Sequence, residues 1–520
     1  MVQYRIMRKI QWSSKIVLVV ASISLCLFTF SSAELHGDSR ADSSSLRQLR
    51  GKIDRLLESS ALRNASFGIQ IRSLESGEIV YERNPDLTLN PASNTKLLTS
   101  AAALVKLSPE YRFHTRVYTR GSLRNGVLEG DIYLKGSGDP TFSYEGLLRL
   151  AQDAYNAGIR SISGDVVGDE SFFDAEREFS GWHDFKAAYS SKISALSLNK
   201  NIVTLRVKPA HRSGLAPQVI LDPPTTYVKI QNKAVTHSSN RVRASFLPSE
   251  ESATGETLVV QGRVSARSRY GVSAAIYVNN PSLFTTTSFK NALEQMGITV
   301  RGAAVIGTIP KNAALLSVYE SEPLPSIISE ANKASDNFVA EQLLKTLGAE
   351  VLGAPGTTAK GVQAVQEFLA ELDIPQHAYF LENGSGLSRN NRLSPKQIVT
   401  LLTYMYDNFA VRAEYLSSLA VAGVDGTLRR RMRDTQAERR LRAKTGAINS
   451  VSCLSGYAAS QENEVFAFSI MMNGYRSGGH DVKSIQNQIG LLLTEFYRET
   501  YDADASHSKH ANQRQTSASN

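Results

Sequence analysis

Cysteine is nearly absent: the 520 residues contain two. One of them, Cys26, lies in an apolar N-terminal run, so losing that run leaves Cys453 alone. A chain with one cysteine closes no internal disulfide and must be held by its cores. Cys and His do not recur at the paired spacings of a structural zinc site, and there is no internal repeat. Long apolar runs are missing too: Ile16 to Phe30, about 15 residues, falls short of the roughly 20 that span a bilayer. Nor is there a strong charge of one sign. The 58 Lys and Arg against 49 Asp and Glu give +9, which falls to +5 without Arg5, Arg8, Lys9 and Lys15. So mild an excess leaves no electrostatic footprint for nucleic acid.

Those four basic residues, the apolar run and Ser31-Ser-Ala33 read together as an export signal over residues 1–33, cleaved before Glu34. The alternative is an uncleaved signal retained as an anchor. Leu25 ahead of Cys26 does not fit lipid attachment. A chain of 520 residues is too long for one compact core, which implies two or three domains. Apolar content of 42% and charged content of 21% are those of a soluble globular protein.

Beyond a polar linker from Glu34 to about Ser45, "FGIQIRSLESGEIVYERN" reads as a hairpin turning at Glu75-Ser-Gly-Glu78. A second hairpin crosses Asn125-Gly126, the strongest short hairpin signal in the chain. Short strands separated by turn residues fill about 200–280, a helix starts at Pro281, and "ITVRGAAVIG" reads as a strand. Helices dominate from Pro325 to about Met405. "AKTGAINSVSCLSGYAAS" and "NEVFAFSIMMNGY" form a hairpin across Gln461-Glu-Asn463, and a last helix runs from about Val482 to Tyr497. The polar tail 503–520 reads as disordered.

In "LNPASNTKLLTSAAALVKL", Ser93 and Lys96 lie at i and i+3, on one face of an otherwise apolar helical segment. A lysine drawn into apolar surroundings loses its proton more easily and becomes a base beside a hydroxyl. The bland alternative is a solvated first turn. Spacing does not decide, because Ser197-Leu-Asn-Lys200 and Ser506-His-Ser-Lys509 also match. The first runs into a strand and the second lies in the tail. Partners decide. Ser335-Asp-Asn337 breaks two helical segments, where a serine and an amide can face a cleft; N-capping is the bland reading. Lys444-Thr-Gly446 occurs once, at a strand start, where the glycine leaves room for a ligand's backbone and the Lys and Thr suit a carboxylate. Ser-x-x-Lys, Ser-x-Asn and Lys-Thr-Gly, in that order and on those elements, form the set used by penicillin-binding proteins and class A β-lactamases.

The chain resembles the class C low-molecular-mass penicillin-binding proteins, the D-alanyl-D-alanine carboxypeptidase/endopeptidase family. "GSGDPTF" (136–142), "GSGLSRNN" (384–391) and "VAGVDGTL" (421–428) match as well, and little from Leu46 to Tyr497 falls outside the pattern. The 242 residues from Ser93 to Ser335 leave room for the large insertion of this family. One departure is Asn383, where the family carries an acid. The resemblance implies a multidomain α/β (α+β) fold. Its catalytic domain, an antiparallel sheet flanked by helices, would come from about 46–109 and 316–500. The insertion would span 110–315, with a nested β-rich module at about 203–280.

It also implies the roles. Ser93 would attack a D-Ala-D-Ala carbonyl, and Lys96 would take its proton, its pKa lowered by burial and by Lys444. Ser335 would relay a proton to the leaving amine, Asn337 would hold a substrate amide, and Lys444, Thr445 and Gly446 would bind the terminal carboxylate. The N–H groups of Ser93 and Ala447 would form an oxyanion hole. Asp184, beside Trp182 and 91 residues beyond Ser93, would receive the amine of a diaminopimelate side chain. No metal or organic cofactor is required; peptidoglycan stem peptides would be the substrates and β-lactams the inhibitors, outside the cytoplasm. The rival expectations are a β-lactamase or esterase of the same superfamily, and a wall-binding protein without catalysis.

Overall fold

The computed structural model describes residues 44–179, 191–239, 243–476 and 479–498. The expected signal, the tail, Trp182 and Asp184 lie outside these residues.

A six-stranded antiparallel sheet organises the site. Its order is Ala420–Val421, Leu441–Ile448, Val451–Ala459, Val465–Asn473, Ser66–Ser73 and Ile79–Arg83, so strands from both ends of the chain share it. The two central strands are buried on both faces and accordingly read as apolar runs rather than as an alternation. Cys453, Tyr457, Ala467 and Met471 point to one face, packed on the helices Thr95–Leu107, Leu324–Lys333, Asn337–Leu352 and Pro395–Asp407. Leu454, Ala458, Phe468 and Met472 point to the other, under the helices Ser44–Leu57 and Gly479–Thr494.

Three sequence expectations change in detail. Residues 44–57, where the linker was expected to end, form a helix that buries Leu46, Leu49, Ile53 and Leu57, a stripe at helical spacing. The segment read as one strand from Ala443 to Ser460 is two strands, reversed at Asn449-Ser450 with Ser450 at φ 59°. "ITVRGAAVIG" divides into Thr299–Val300 and Ala304–Ile306, which pair with different neighbours.

Residues 114–320 build a second, seven-stranded sheet around the His114–Lys135 hairpin, together with two three-stranded sheets between 202 and 277. The chain enters and leaves this region side by side: Phe113 and Ser321 exchange hydrogen bonds at 3.0 Å. Among the described residues no helix is long and apolar enough to cross a membrane.

Candidate active site

Ser93 sits in a 3-10 turn, Ala92–Asn94, just ahead of the Thr95–Leu107 helix rather than within it. Ala92 adopts φ 44°, a left-handed conformation that costs a non-glycine residue about 1–3 kcal/mol. The turn is held from several directions. Asn90 Oδ1 accepts the Ala92 N–H at 2.8 Å, and Thr95 Oγ1 donates to the Ala92 carbonyl at 2.9 Å. Asn94, fully buried, donates to the Lys444 carbonyl and accepts from Ser455 Oγ, each at 2.8 Å. These contacts fasten the turn to the Leu441–Ile448 and Val451–Ala459 strands. They also explain Gly446: a Cβ there would lie 2.6 Å from the Pro91 carbonyl oxygen. The Ser93 turn itself demands the glycine.

Lys96 is fully buried. Its Nζ donates to Ser93 Oγ at 3.2 Å, to Asn337 Oδ1 at 2.7 Å and to the Ser385 carbonyl at 2.6 Å. Burial pulls its pKa down to about 7, against the opposing pull of Glu341 and Asp336. Lys444, also fully buried, is held well below the ordinary lysine value by burial first and by the like charge of Lys96 second. Lys444 Nζ donates to Ser335 Oγ at 2.8 Å and to the Thr445 carbonyl at 2.9 Å. Ser335, at φ 59°, and Asn337 flank Asp336, whose carboxylate caps the Asn337–Leu352 helix by accepting the Val339 N–H at 3.1 Å. Thr445 Oγ1 reaches Thr427 Oγ1 at 2.8 Å, and Ala447 is exposed on the same strand, opposite Ser452. Hydrogen bonds thus link Ser93, Lys96 and Asn337 into one group and Lys444 with Ser335 into a second, and the Ser335-Asp336-Asn337 segment connects the two.

Sequence reasoning missed Glu341 and Ser385. Glu341, fully buried one turn after Asn337, accepts the Ser385 N–H at 2.8 Å and the Gly384 N–H at 3.1 Å. It therefore fixes Ser385, the residue whose carbonyl holds Lys96. Its own carboxyl is pushed up by burial, with the Gly384-Ser385 contacts and Lys96 opposing. An acid inside the apolar run "NFVAEQLLKTLG" was the available signal. At the family's usual acid position, Asn383 Oδ1 accepts the Gly386 N–H at 3.0 Å and the Asn391 amide at 3.2 Å. Among the described residues no three His, Cys, Asp or Glu side chains gather to hold a metal ion.

The chain is similar to several known proteins. The D-alanyl-D-alanine carboxypeptidase of Actinomadura sp. (strain R39) is 35% identical over 473 residues, 88% of this chain and 86% of that protein. The D-alanyl-D-alanine carboxypeptidase DacB of Haemophilus influenzae is 26% identical over 456 residues, 84% of this chain and 91% of that protein. The crystal structure of penicillin-binding protein 4 from Haemophilus influenzae shares the fold, with a TM-score of 0.72 at 23% identity. It covers 84% of this chain and 98% of its own. Residues 49–496 match the D-Ala-D-Ala carboxypeptidase 3 (S13) family, and the chain belongs to that family of peptidases.

Proposed function

We propose that Ser93 opens the D-Ala-D-Ala bond of peptidoglycan stem peptides through an acyl-enzyme, and that β-lactams acylate the same oxygen. The observation that carries this reading is the buried Lys96 ammonium, 3.2 Å from Ser93 Oγ and with a pKa of about 7. A lysine held that low is partly free base near neutral pH, the condition for general-base catalysis.

Ser93 Oγ attacks the carbonyl carbon of the penultimate D-Ala while its proton passes to Lys96. The N–H groups of Ser93 and Ala447 receive the oxyanion. Ser335, held by Lys444 at 2.8 Å, passes its proton to the departing amine as the C–N bond breaks and is re-protonated from Lys96, which returns to the free base. Lys444 and Thr445, beside Gly446, bind the terminal carboxylate, whose charge draws the Lys444 pKa back up. Asn337 orients a substrate amide. Water then attacks the ester carbon, its proton passes to the free-base Lys96, and Lys96 returns that proton to Ser93 Oγ as the ester C–O bond breaks.

The catalytic part is assembled from about 46–109 and 316–500, and the insertion at 110–315 brings Trp182 and Asp184 to the substrate's side chain. Residues 1–33 direct export to the cell envelope. Protein purified from that compartment then begins at or near Glu34 by N-terminal sequencing, and an intact Met1 would argue for an anchor. Labelling with a fluorescent penicillin tests the nucleophile: Ser93→Ala abolishes the label and Ser197→Ala keeps it. A label that survives in Ser93→Ala overturns the assignment.

A further inference from the structure

The second Ser-x-x-Lys ends beside the first one's partners. Asn199, Lys200 and Asn201 form a 3-10 turn with positive φ throughout, 48°, 55° and 60°. Three successive non-glycine residues in this region persist only where their surroundings over-determine them. Here Asn201 Oδ1 accepts the Leu198 N–H at 3.2 Å, while its Nδ2 donates to the Lys192 carbonyl at 2.7 Å and to Ser197 Oγ at 3.0 Å. Asn199 accepts the Tyr144 N–H and donates its own N–H to the Phe142 carbonyl, each at 2.9 Å. The strained turn directs Lys200 to the helix junction of the site. Its Nζ donates to Asp336 Oδ2 at 2.7 Å and to Glu330. Burial opposes the Lys200 charge, but Asp336 and Glu330 outweigh it and hold the ammonium above its ordinary value.

We propose that Lys200 is a positioning residue for acylation: it pins Asp336, and with it Ser335 and Asn337, and neutralises a carboxylate felt by Lys96. The inference rests on the reading of Ser93 as nucleophile and Lys96 as base. Asp336 is the residue between two members of the site, and its second oxygen is already used in capping the helix. The Lys200 and Asp336 side chains are 26% and 21% exposed, so solvent screens the pair only in part. The other charges around Lys96 are Glu341, on the same helix as Asn337, and Lys444, on the sheet. On the helix that carries Glu330, Lys333 is already paired with Asp425 at 2.7 Å. Asp336 therefore has Lys200 as its cationic partner among the described residues.

The test is the acylation rate of the full-length protein with a fluorescent penicillin, followed across pH. Lys200→Met frees the Asp336 charge, which raises the Lys96 pKa and leaves less free base. Acylation at pH 7 falls about tenfold, below the hundredfold that a 1 Å misplacement costs, and the acid limb of the profile moves to higher pH. Asp336→Asn alone keeps a capping side chain and moves the limb to lower pH. It therefore reads out the same charge even if Lys200→Met does not fold. The pair Lys200→Met with Asp336→Asn returns the limb towards wild type, and Lys200→Arg leaves it in place. A folded Lys200→Met with an unmoved acid limb, whatever its rate, overturns the proposal, as does an unmoved limb in Asp336→Asn. Failure of the underlying reading shows separately, as a label that Ser93→Ala does not remove.

Discussion

Ser93 and Lys96 are three residues apart in sequence, and their contact needs no more than one turn of chain, so both could be read from the sequence. Glu341 could not be assigned there. Its role depends on meeting the Gly384-Ser385 peptide, 43 and 44 residues further along the chain, and no local spacing encodes that meeting. Burial pulls the Lys96 pKa down to about 7, which suits it to the proposed role of base. A base works only when unprotonated, so acylation should fall as pH drops through about 7, with a midpoint within about a unit of it. Glu341→Gln removes one of the two charges that raise the Lys96 pKa, which moves that midpoint to lower pH. It also replaces one carboxylate oxygen by an amide donor facing the Gly384 and Ser385 N–H groups. That loss is worth about 1.5–3 kcal/mol, the scale of a hydrogen bond to a charged group. Stopped-flow acylation across pH, with a thermal melt, measures both effects. A midpoint that stays put or rises would remove Glu341 from the electrostatics of Lys96.

Elements with a strong local period were legible: the turns at Glu75-Ser-Gly-Glu78 and Asn125-Gly126 both connect antiparallel strands. The Ser44–Leu57 helix carried the same kind of signal in Leu46, Leu49, Ile53 and Leu57, but its polar surroundings masked it. The Ser450 reversal was hidden for a different reason. The strand after it is buried on both faces, so its apolar run merges with the preceding one and leaves no break in pattern. Gly446 joins two elements. In sequence it belongs to a strand motif; in space it is the gap that admits the Pro91–Asn94 turn. Gly446→Ala would place Cβ 2.6 Å from the Pro91 carbonyl oxygen and 3.1 Å from Cys453 Cβ. Because the nearest atom is backbone, the turn must move and carry Ser93 with it. Overpacking of this kind costs about 1–3 kcal/mol, and a displacement near 1 Å costs about a hundredfold in rate. Acylation should therefore fall far more than stability, and wild-type labelling in Gly446→Ala would mean that the turn has slack.

At the scale of the molecule, the Asn337–Leu352 helix joins the sheet's site to the region between 114 and 320. Gln342 Nε2 donates to the Ser194 carbonyl at 3.0 Å and to Ser197 Oγ at 3.3 Å. Lys345, fully buried, donates to Asp174 and to the Glu176 carbonyl, with Nζ 5.4 Å from the centre of the Phe179 ring. Residues 172–174 also bond to Gly356 through both its N–H and its carbonyl, at 2.8 and 3.1 Å. Both described flanks of the segment carrying Trp182 and Asp184 are therefore tied to the helix that begins at Asn337. The expectation to be tested on that segment is that Asp184 takes a charged amine on the substrate, with Trp182 along its aliphatic arm. Asp184→Asn should then cost about 1.5–3 kcal/mol in kcat/KM on stem peptides with a free side-chain amine. The penicillin acylation rate should barely change, since that ligand has no such arm. Lys345→Ala, which loosens one flank without touching the Ser93 cluster, should show the same selectivity in weaker form. Purified peptides with and without the free amine, read by mass spectrometry of the released D-Ala, separate the outcomes. Equal losses on peptide and penicillin, or no loss on either, would take Asp184 out of substrate recognition.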